Sequence, residues 1–331
     1  MKRITINNIV RPYAKPSNAR AIWQLANTLL PYFGLIALMF WMLQAGIHYL
    51  LVLPLSILPA LFLVRIFILF HDCTHSSFMT SKKWMTVIGH VLGILTFTSY
   101  HQWQREHLTH HRTVGNLQQR GVGDVWTMTV DEYQQTSWLK RLGYRLYRHP
   151  FFLFGIGPFY MFVINQRLPI AMKTKKDWIS LLISNLGILA IILTVSFTVG
   201  FKYYLMIQLP IIFIASSLGV WLFFVQHQYE EVYWADSDEW DITEAALKGS
   251  SVYKLPRILD WFTGNIAYHN VHHLNARIPN YNLRKLFHST KAFRNSKEIN
   301  ILESIHLATL YLYDERLKKL ISRRTFKKQY S

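Results

Sequence analysis

A chain of 331 residues with 36 Lys and Arg against 18 Asp and Glu, 51% hydrophobic and 15% aromatic residues, is at once basic and rich in apolar surface. Its single cysteine, Cys73, excludes an intramolecular disulfide, a CxxC zinc site and a dithiol redox pair. A net charge of +18 would suit nucleic acid in a soluble protein, but the apolar residues lie in blocks, so the charge is assigned to membrane-facing loops that meet anionic lipid, and no nucleic-acid partner is expected.

The N-terminal run from Met1 to Asn8 is polar and basic, unlike a cleaved signal peptide, so insertion is expected to rest on internal helices. No Lys or Arg occurs between Arg20 and Arg65, and Asp72 is the only carboxylate in the first hundred residues. Two spans are predicted there, at 31–53 and 54–70, each near the ~20 residues that cross a hydrocarbon core of about 30 Å. Arg65 sits close enough to one end of the second to snorkel. The junction at Leu53-Pro54 leaves room only for a helical hairpin. A second pair is predicted at 178–200 and 203–226, turning around Lys202. Two hairpins put both termini and the middle loop on one side of the bilayer. Five Lys or Arg precede the first span, fourteen fall from Arg65 to Lys176, sixteen follow from Lys248 onward, and only Lys202 lies opposite, so that side is read as cytoplasmic.

Residues 84–100 and 150–165 are nearly long enough to span, but the histidine pattern below requires that they not cross, so they are expected to lie in the interface or dip into it. The last forty residues, including Ile301 to Leu320, read as a basic amphipathic helix against the membrane. With no repeat or linker, the expected fold is a single all-α membrane domain over 1–331: four transmembrane helices in two hairpins, with a cytoplasmic helical cap carrying the functional site.

Fifteen histidines are present, and eight fall in three boxes: His71 and His75 in HDCTH, His107, His110 and His111 in HLTHH, and His269, His272 and His273 in HNVHH. Chance placement would produce one HxxHH about 0.03 times in a chain of this composition. On a helix, i and i+4 lie about 40° apart and i+3 about 60° to the other side, so HxxHH is expected to gather three imidazoles into a half-shell of metal ligands. The number of ligands suits two metal ions better than one four-coordinate zinc. Imidazole-rich sites accept zinc, copper, iron or nickel, so spacing leaves the metal open. His227, at the cytoplasmic end of the fourth span, is taken as a ninth ligand. For the boxes at 71 and 107 to meet, residues 84–100 cannot cross the bilayer, and the same logic holds for 150–165.

Isolated His48, His90, His149, His288 and His306 are read as structural or interfacial, and His101 as structural or supporting. Among carboxylates near the boxes, Asp72, Glu106, Asp124, Glu230, Glu231 and Asp241 are candidates to orient ligand imidazoles. Asp72 and Asp241 are kept as outer-sphere candidates together with Asn265, which lies four residues before His269 and is expected on the same helical face. Phe67, Trp221 and Gly219 are candidates to line an apolar slot beside the boxes.

These motifs, with Trp103 and Arg105 before the second box and Leu-x-x-x-Ile-Pro-x-Tyr after the third, resemble the membrane-bound fatty acid desaturases, in particular the bacterial acyl-lipid, Δ12-like branch. The likeness runs from about residue 30 to 290 and includes Gly123-Asp124, Asp131-Glu132-Tyr133, Tyr144 to Pro150 and Leu255 to Asn265. It implies a non-haem di-iron centre ligated by the eight boxed histidines and His227, and O2-dependent removal of two hydrogens from adjacent carbons of an acyl chain held by a lipid, CoA or acyl carrier protein. The stearoyl-CoA branch differs: it has an Asn where this chain has Phe223, and four residues inside its first box rather than three.

No haem, iron–sulfur, flavin or NADPH signature is present, so electrons must come from a separate donor such as ferredoxin, flavodoxin or cytochrome b5. No Ser/His/Asp arrangement is found, and no catalytic residue beyond the metal ligands is expected. Competing readings are an acyl hydroxylase, acetylenase or carotenoid hydroxylase or ketolase on the same frame, and, from other classes, a zinc-dependent membrane hydrolase or a metal transporter. The spans carry ionisable groups only near their ends, which disfavours transport.

Overall fold

Ser17 opens the first long helix by accepting the Arg20 N–H at 3.5 Å, a weak N-cap that begins α1 well before the predicted span. In the computed structural model, residues 8–170, 172–290, 293 and 295–330 are described, and Met1 to Asn7 of the polar N-terminal run lie outside them. In chain order the elements that position the site are α1 (Asn18–Gln44), α2 (Tyr49–Thr74), α3 (Lys82–Leu95), α4 (Tyr100–Thr113), α5 (Trp138–Tyr147), α6 (Lys175–Thr198), α7 (Phe201–His227), α8 (His269–Leu274) and α9 (Asn280–Ser289). The fold is mainly helical, and four of these helices, α1, α2, α6 and α7, are long and apolar enough to cross a membrane.

The first hairpin turns earlier than Leu53-Pro54. Gly46, at φ +79°, provides the left-handed turn, and His48 precedes the first turn of α2. Pro54 falls in a 3-10 stretch, Leu53–Ser56, near the start of α2, where the lost N–H costs little. Two polar residues of the N-terminal stretch that α1 adds before the predicted span, Gln24 and Thr28, are buried against other polar groups. Gln24 and Asn280 exchange side-chain amide bonds at 2.8 and 3.2 Å, and Thr28 accepts from Arg65 Nε at 3.0 Å. Asn280 also donates from its backbone and side chain to Asp72 Oδ2 at 2.7 and 2.9 Å, so α1, α2 and the start of α9 share one buried network.

The apolar stretch 84–100 becomes α3, the turn at 96–99 and the first residue of α4. At 14 residues, α3 is roughly 21 Å long, short of a hydrocarbon core. The α3–α4 hairpin returns the second histidine box to the first: the rings of His71 and His107 are 4.7 Å apart. Residues 150–165 form a π-helical turn, Phe152–Ile156, and the helix Gly157–Val163, where Phe154 packs against Trp221 and Phe224 of α7 at 4.7 and 5.0 Å. Gly264, at φ +55°, lets the loop before α8 lie against α2, since an added Cβ there would stand 2.8 Å from Ile68 Cγ2.

The expectation of one amphipathic helix near the C-terminus is overturned. Ile301–Leu307 is a short helix, Leu310–Asp314 and Lys319–Ser322 form an antiparallel hairpin, and only Arg323–Tyr330 returns to helix. The reason is local: Leu310, Tyr311, Leu312 and Tyr313 favour a strand, and all are buried. Lys318, at φ +49°, lies in the connecting turn. A short parallel pair, Val252–Lys254 with Glu298–Asn300, joins the segment before α8 to the C-terminal part.

Tyr144 of α5 ties the C-terminal hairpin down: its fully buried hydroxyl accepts the Met128 N–H at 3.2 Å and donates to the Tyr311 carbonyl. Tyr144→Phe strands both backbone groups and is expected to destabilise this region by about 1–3 kcal/mol. Hydrogen exchange of residues 310–322 checks it; unchanged protection there contradicts the assignment.

Candidate metal centre

The three boxes reach one place because each occupies a helix end or short helix that meets the others. His71 and His75 lie at the C-terminal end of α2, His107, His110 and His111 on the last two turns of α4, and His269, His272 and His273 on α8. His227 is the last residue of α7. These nine imidazoles form two groups: His71, His75, His107, His111 and His272, and then His110, His227, His269 and His273, each with its nitrogens within 4.8 Å of one another. In the second group His227 Nε2 lies 3.2 Å from His110 Nε2 and 2.9 Å from His269 Nε2. In the first, His111 Nε2 lies 3.1 Å from His107 Nε2 and 3.0 Å from His272 Nε2.

The half-shell expectation for HxxHH is therefore corrected. Each box contributes its i, i+4 pair to one group and its i+3 member to the other: His107 and His111 against His110, and His269 and His273 against His272. The angle between i+3 and i+4 on a helix, about 100°, is wider than one group subtends, so the third imidazole belongs to the neighbouring group.

Outer partners fix some of the rings. His110 Nδ1 lies 2.5 Å from Asp124 Oδ1, and His227 Nδ1 donates to the Gly249 carbonyl at 3.1 Å, so both turn Nε2 toward the cluster. Gly123, at φ +73°, packs the loop against α4, where a Cβ would meet His110 Cβ at 3.2 Å, and this seats Asp124. Burial pushes the Asp124 carboxyl up, but the attraction of His110 and hydrogen bonds from His110 and the Gly121 N–H outweigh it and hold the group below its ordinary value. Trp103 stacks on His107 with centroids 4.3 Å apart.

The other outer-sphere candidates are placed elsewhere or less directly. Asp72 Oδ1 is 3.5 Å from His71 Nδ1, too long for a good hydrogen bond, and its other oxygen serves Asn280. Asp241 is exposed and caps the helix Ile242–Lys248 by accepting from Thr243 and Glu244 N–H. Asn265 precedes α8 rather than sharing its face; it adopts φ +58°, and its side chain donates to the Asn280 carbonyl at 3.4 Å. His90 and His101 pack on Tyr100 and on each other, apart from both groups. The Gly249 carbonyl had no signal in the sequence, since any residue carries one; Asp124 had one in the Gly-Asp turn after the second box.

The donor set fits metal ions. Nε2 of His75 and both ring nitrogens of His71 are buried without a hydrogen-bonding partner, and His110 and His227, each bound through Nδ1 to an outer partner, face Nε2 to Nε2 at 3.2 Å, two lone pairs that a cation between them would reconcile. Burial first, then neighbouring imidazoles, hold His75, His107, His111, His269, His272 and His273 well below the ordinary 6.5. Neutral imidazole is the metal-binding form.

An apolar cavity of about 400 Å³ reaches both groups, with His71, His107 and His269 in its wall beside Phe67, Trp103 and Phe223. Gly219 also lines it, whereas Trp221 packs on Phe154 outside that lining. Toward solvent the cavity borders Glu106, Gly123, Asp124 and Tyr147. The site thus sets two groups of imidazoles that could hold metal beside an apolar cavity, on a frame of membrane-length helices.

Comparison with known proteins agrees. A family model described as fatty acid desaturase matches residues 47–299. A fatty acid desaturase of Bacillus subtilis is 40% identical over 326 residues, which cover 98% of this chain and 92% of that protein. The sn-1 oleoyl-lipid 12-desaturase of Synechocystis sp. is 28% identical over 232 residues, 68% of this chain and 64% of that one. The chloroplastic sn-2 acyl-lipid omega-3 desaturase (ferredoxin) of Helianthus annuus is 26% identical over 232 residues, 66% of this chain and 50% of that one. The chain belongs to the fatty acid desaturase family, whose members are oxidoreductases.

Asp124→Ala is expected to weaken metal retention about 10–100-fold, read by competition with a chelator, while Asp241→Ala leaves it unchanged. Equal losses in the two variants would contradict the placement of Asp124. For metal-free protein the sign of the pH effect is also set. Below pH 6.5 the unfolded chain takes up protons that the folded cluster refuses, so stability is expected to fall as pH drops from about 6.5 toward 5. Thermal unfolding across that range measures it; a flat response contradicts burial of neutral imidazoles.

Proposed function

We propose that this chain is an acyl-lipid desaturase that introduces a cis double bond, near the Δ12 position, into a fatty acyl chain by O2-dependent di-iron chemistry. The observation that carries the reading is that one apolar cavity borders both imidazole groups. Its volume lies in the range of small-molecule sites, and its walls suit a hydrocarbon chain. His71, His75, His107, His111 and His272 would hold one iron, and His110, His227, His269 and His273 the other. When bound, the iron pair supplies the oxidising power, drawn from O2, that an unactivated alkyl C–H requires.

The protein's own part is positional. Phe67 and Trp103 hold the chain beside the imidazoles and exclude water, and Asp124 keeps the proton on His110 Nδ1. The Δ12-like and acyl-lipid assignments draw on the relative named for oleoyl-lipid 12-desaturation and on the bacterial acyl-lipid resemblance. The whole of 1–331 is read as one domain in the bacterial cytoplasmic membrane, with both termini and the metal site cytoplasmic; the excess of Lys and Arg in the corresponding loops supports that orientation. A separate electron donor, ferredoxin, flavodoxin or cytochrome b5, completes the reaction, and three relatives carry ferredoxin in their names.

Expression in a host that makes only saturated and monounsaturated lipids tests the reading. A product lighter by two hydrogens, absent with His110→Ala, is expected; gain of one oxygen atom indicates hydroxylation instead. Purified protein should hold about two irons, and one zinc would favour a hydrolase. If the basic surface steers an acidic donor, donor-dependent turnover falls as salt rises; a flat response excludes steering.

A further inference from the structure

Four non-glycine residues among those described have positive φ, namely Ser76, Phe97, Asn265 and Lys318, and Phe97, at +55°, is the only aromatic one. A bulky side chain in the left-handed region is a strained choice. The turn that holds it is a Schellman motif ending α3: the Phe97 N–H reaches the Ile94 carbonyl at 3.3 Å and the Thr98 N–H the Gly93 carbonyl at 2.7 Å. Glycine is the usual occupant of that position, and here the ring is retained instead. The surroundings enforce it. Arg167 donates to the Phe97 carbonyl at 2.6 Å and to Asn185 Oδ1 at 2.9 Å, and Ser184 donates to the Thr98 carbonyl at 3.3 Å. Gly93 permits the Thr98 carbonyl to lie close against α3, since an added Cβ there would stand 2.6 Å from its oxygen.

Strain held this firmly points to use, and the cavity supplies the use, since Phe97 lines it. The cavity wall is chemically uneven. Half-buried Glu106, Asp124 and Tyr147 bring polar groups to it, whereas buried Leu63 and Ile212 of the membrane-spanning helices give it apolar surface, with Asn165 and Gln166 also in the lining. Leu63 lies eight residues before His71 on α2, roughly 12 Å deeper along the helix. His107 lies seven residues after the first residue of α4, so the Phe97 turn is removed from it by roughly 10 Å of helix. A chain with one polar end therefore enters with that end on the half-buried side, at Tyr147, and its methyl end beside Leu63 and Ile212.

We propose that the Phe97 ring is the stop against which the methyl end of the acyl chain rests, so that it sets which carbons lie beside the two imidazole groups. This rests on the reading of the cavity as the acyl-chain site. The backbone strain is what directs a large ring into the slot from a turn where glycine would place none.

The test uses the full chain and its Phe97→Gly, Phe97→Ala and Phe97→Leu variants, expressed in a host supplied with monounsaturated acyl chains of two lengths. Double-bond positions are located by mass spectrometry, and the purified proteins are melted. The parent is expected to place the new bond at one distance from the methyl end in both chain lengths. Phe97→Gly and Phe97→Ala move it toward the carboxyl end by one or more carbons, with Phe97→Leu between. Phe97→Gly should also melt above Phe97→Ala, because both lose the ring and only glycine escapes the left-handed penalty. Unshifted bonds in every variant beside an active parent overturn the stop while leaving the desaturase reading intact, and a reversed melting order overturns the strain. A parent that forms no new double bond in either chain, despite bound iron and a donor, overturns both.

Discussion

Everything in this protein depends on aiming nine imidazoles, eight of them buried, at two points from three distant stretches of chain and one helix end. Neutral imidazoles packed ring to ring leave nitrogens without protein partners, and that arrangement survives only if the surrounding helices are held rigidly. The rigidity comes from buried polar contacts between helices rather than from apolar packing alone. Asn280 links Asp72, beside the first box, to Gln24 on α1, and Gly264 lets the loop before the third box press against α2. In a hydrocarbon setting such groups have few alternatives to pairing with each other.

The same physics explains the division of labour within each HxxHH box. One helix cannot turn three imidazoles onto a single point, so the α4 and α8 boxes trade members between two groups, and neither group forms without both helices. His227 joins the second group from the end of a membrane-length helix, with the Gly249 carbonyl holding its outer nitrogen. Trp103, stacked on His107, carries the metal cluster directly into the wall of the apolar cavity. The imidazole groups and the apolar cavity are thus one construction, with Trp103, Glu106 and His107 of α4 in the wall they share.

That shared wall also makes the α3–α4 hairpin more than a connector. Its turn is locked by Arg167, Ser184 and the close approach at Gly93, and it presents an aromatic ring to the cavity from a backbone conformation that favours glycine. A segment that hydropathy marks as almost a transmembrane span is in this way used to shape the interior of the bundle.

Much of this was legible in the residues themselves. Apolar blocks without charges announced four membrane-length helices, and three boxes in HxxxH and HxxHH spacing announced a site of several imidazoles, because both signals are local properties of the chain. The out-and-back path of residues 84–100 followed once the boxes were required to meet. What the sequence left undecided were matters of partnership. Gln24 and Thr28 looked too polar for a long helix until Asn280 and Arg65 were seen to satisfy them. Asp241 and Asn265 looked suited to support the site and proved to serve a helix cap and a turn. The C-terminal stretch had enough charge and periodicity for a helix, yet Tyr144 and its neighbours draw residues 310–314 into a strand. Sequence by itself determined which groups could bind metal and which segments could enter a membrane, since those depend on composition and spacing. Only the tertiary structure decided which imidazole joins which group, which carboxylate stands behind it and where an aromatic ring enters the slot, because contacts between remote residues are set by packing and not by local pattern.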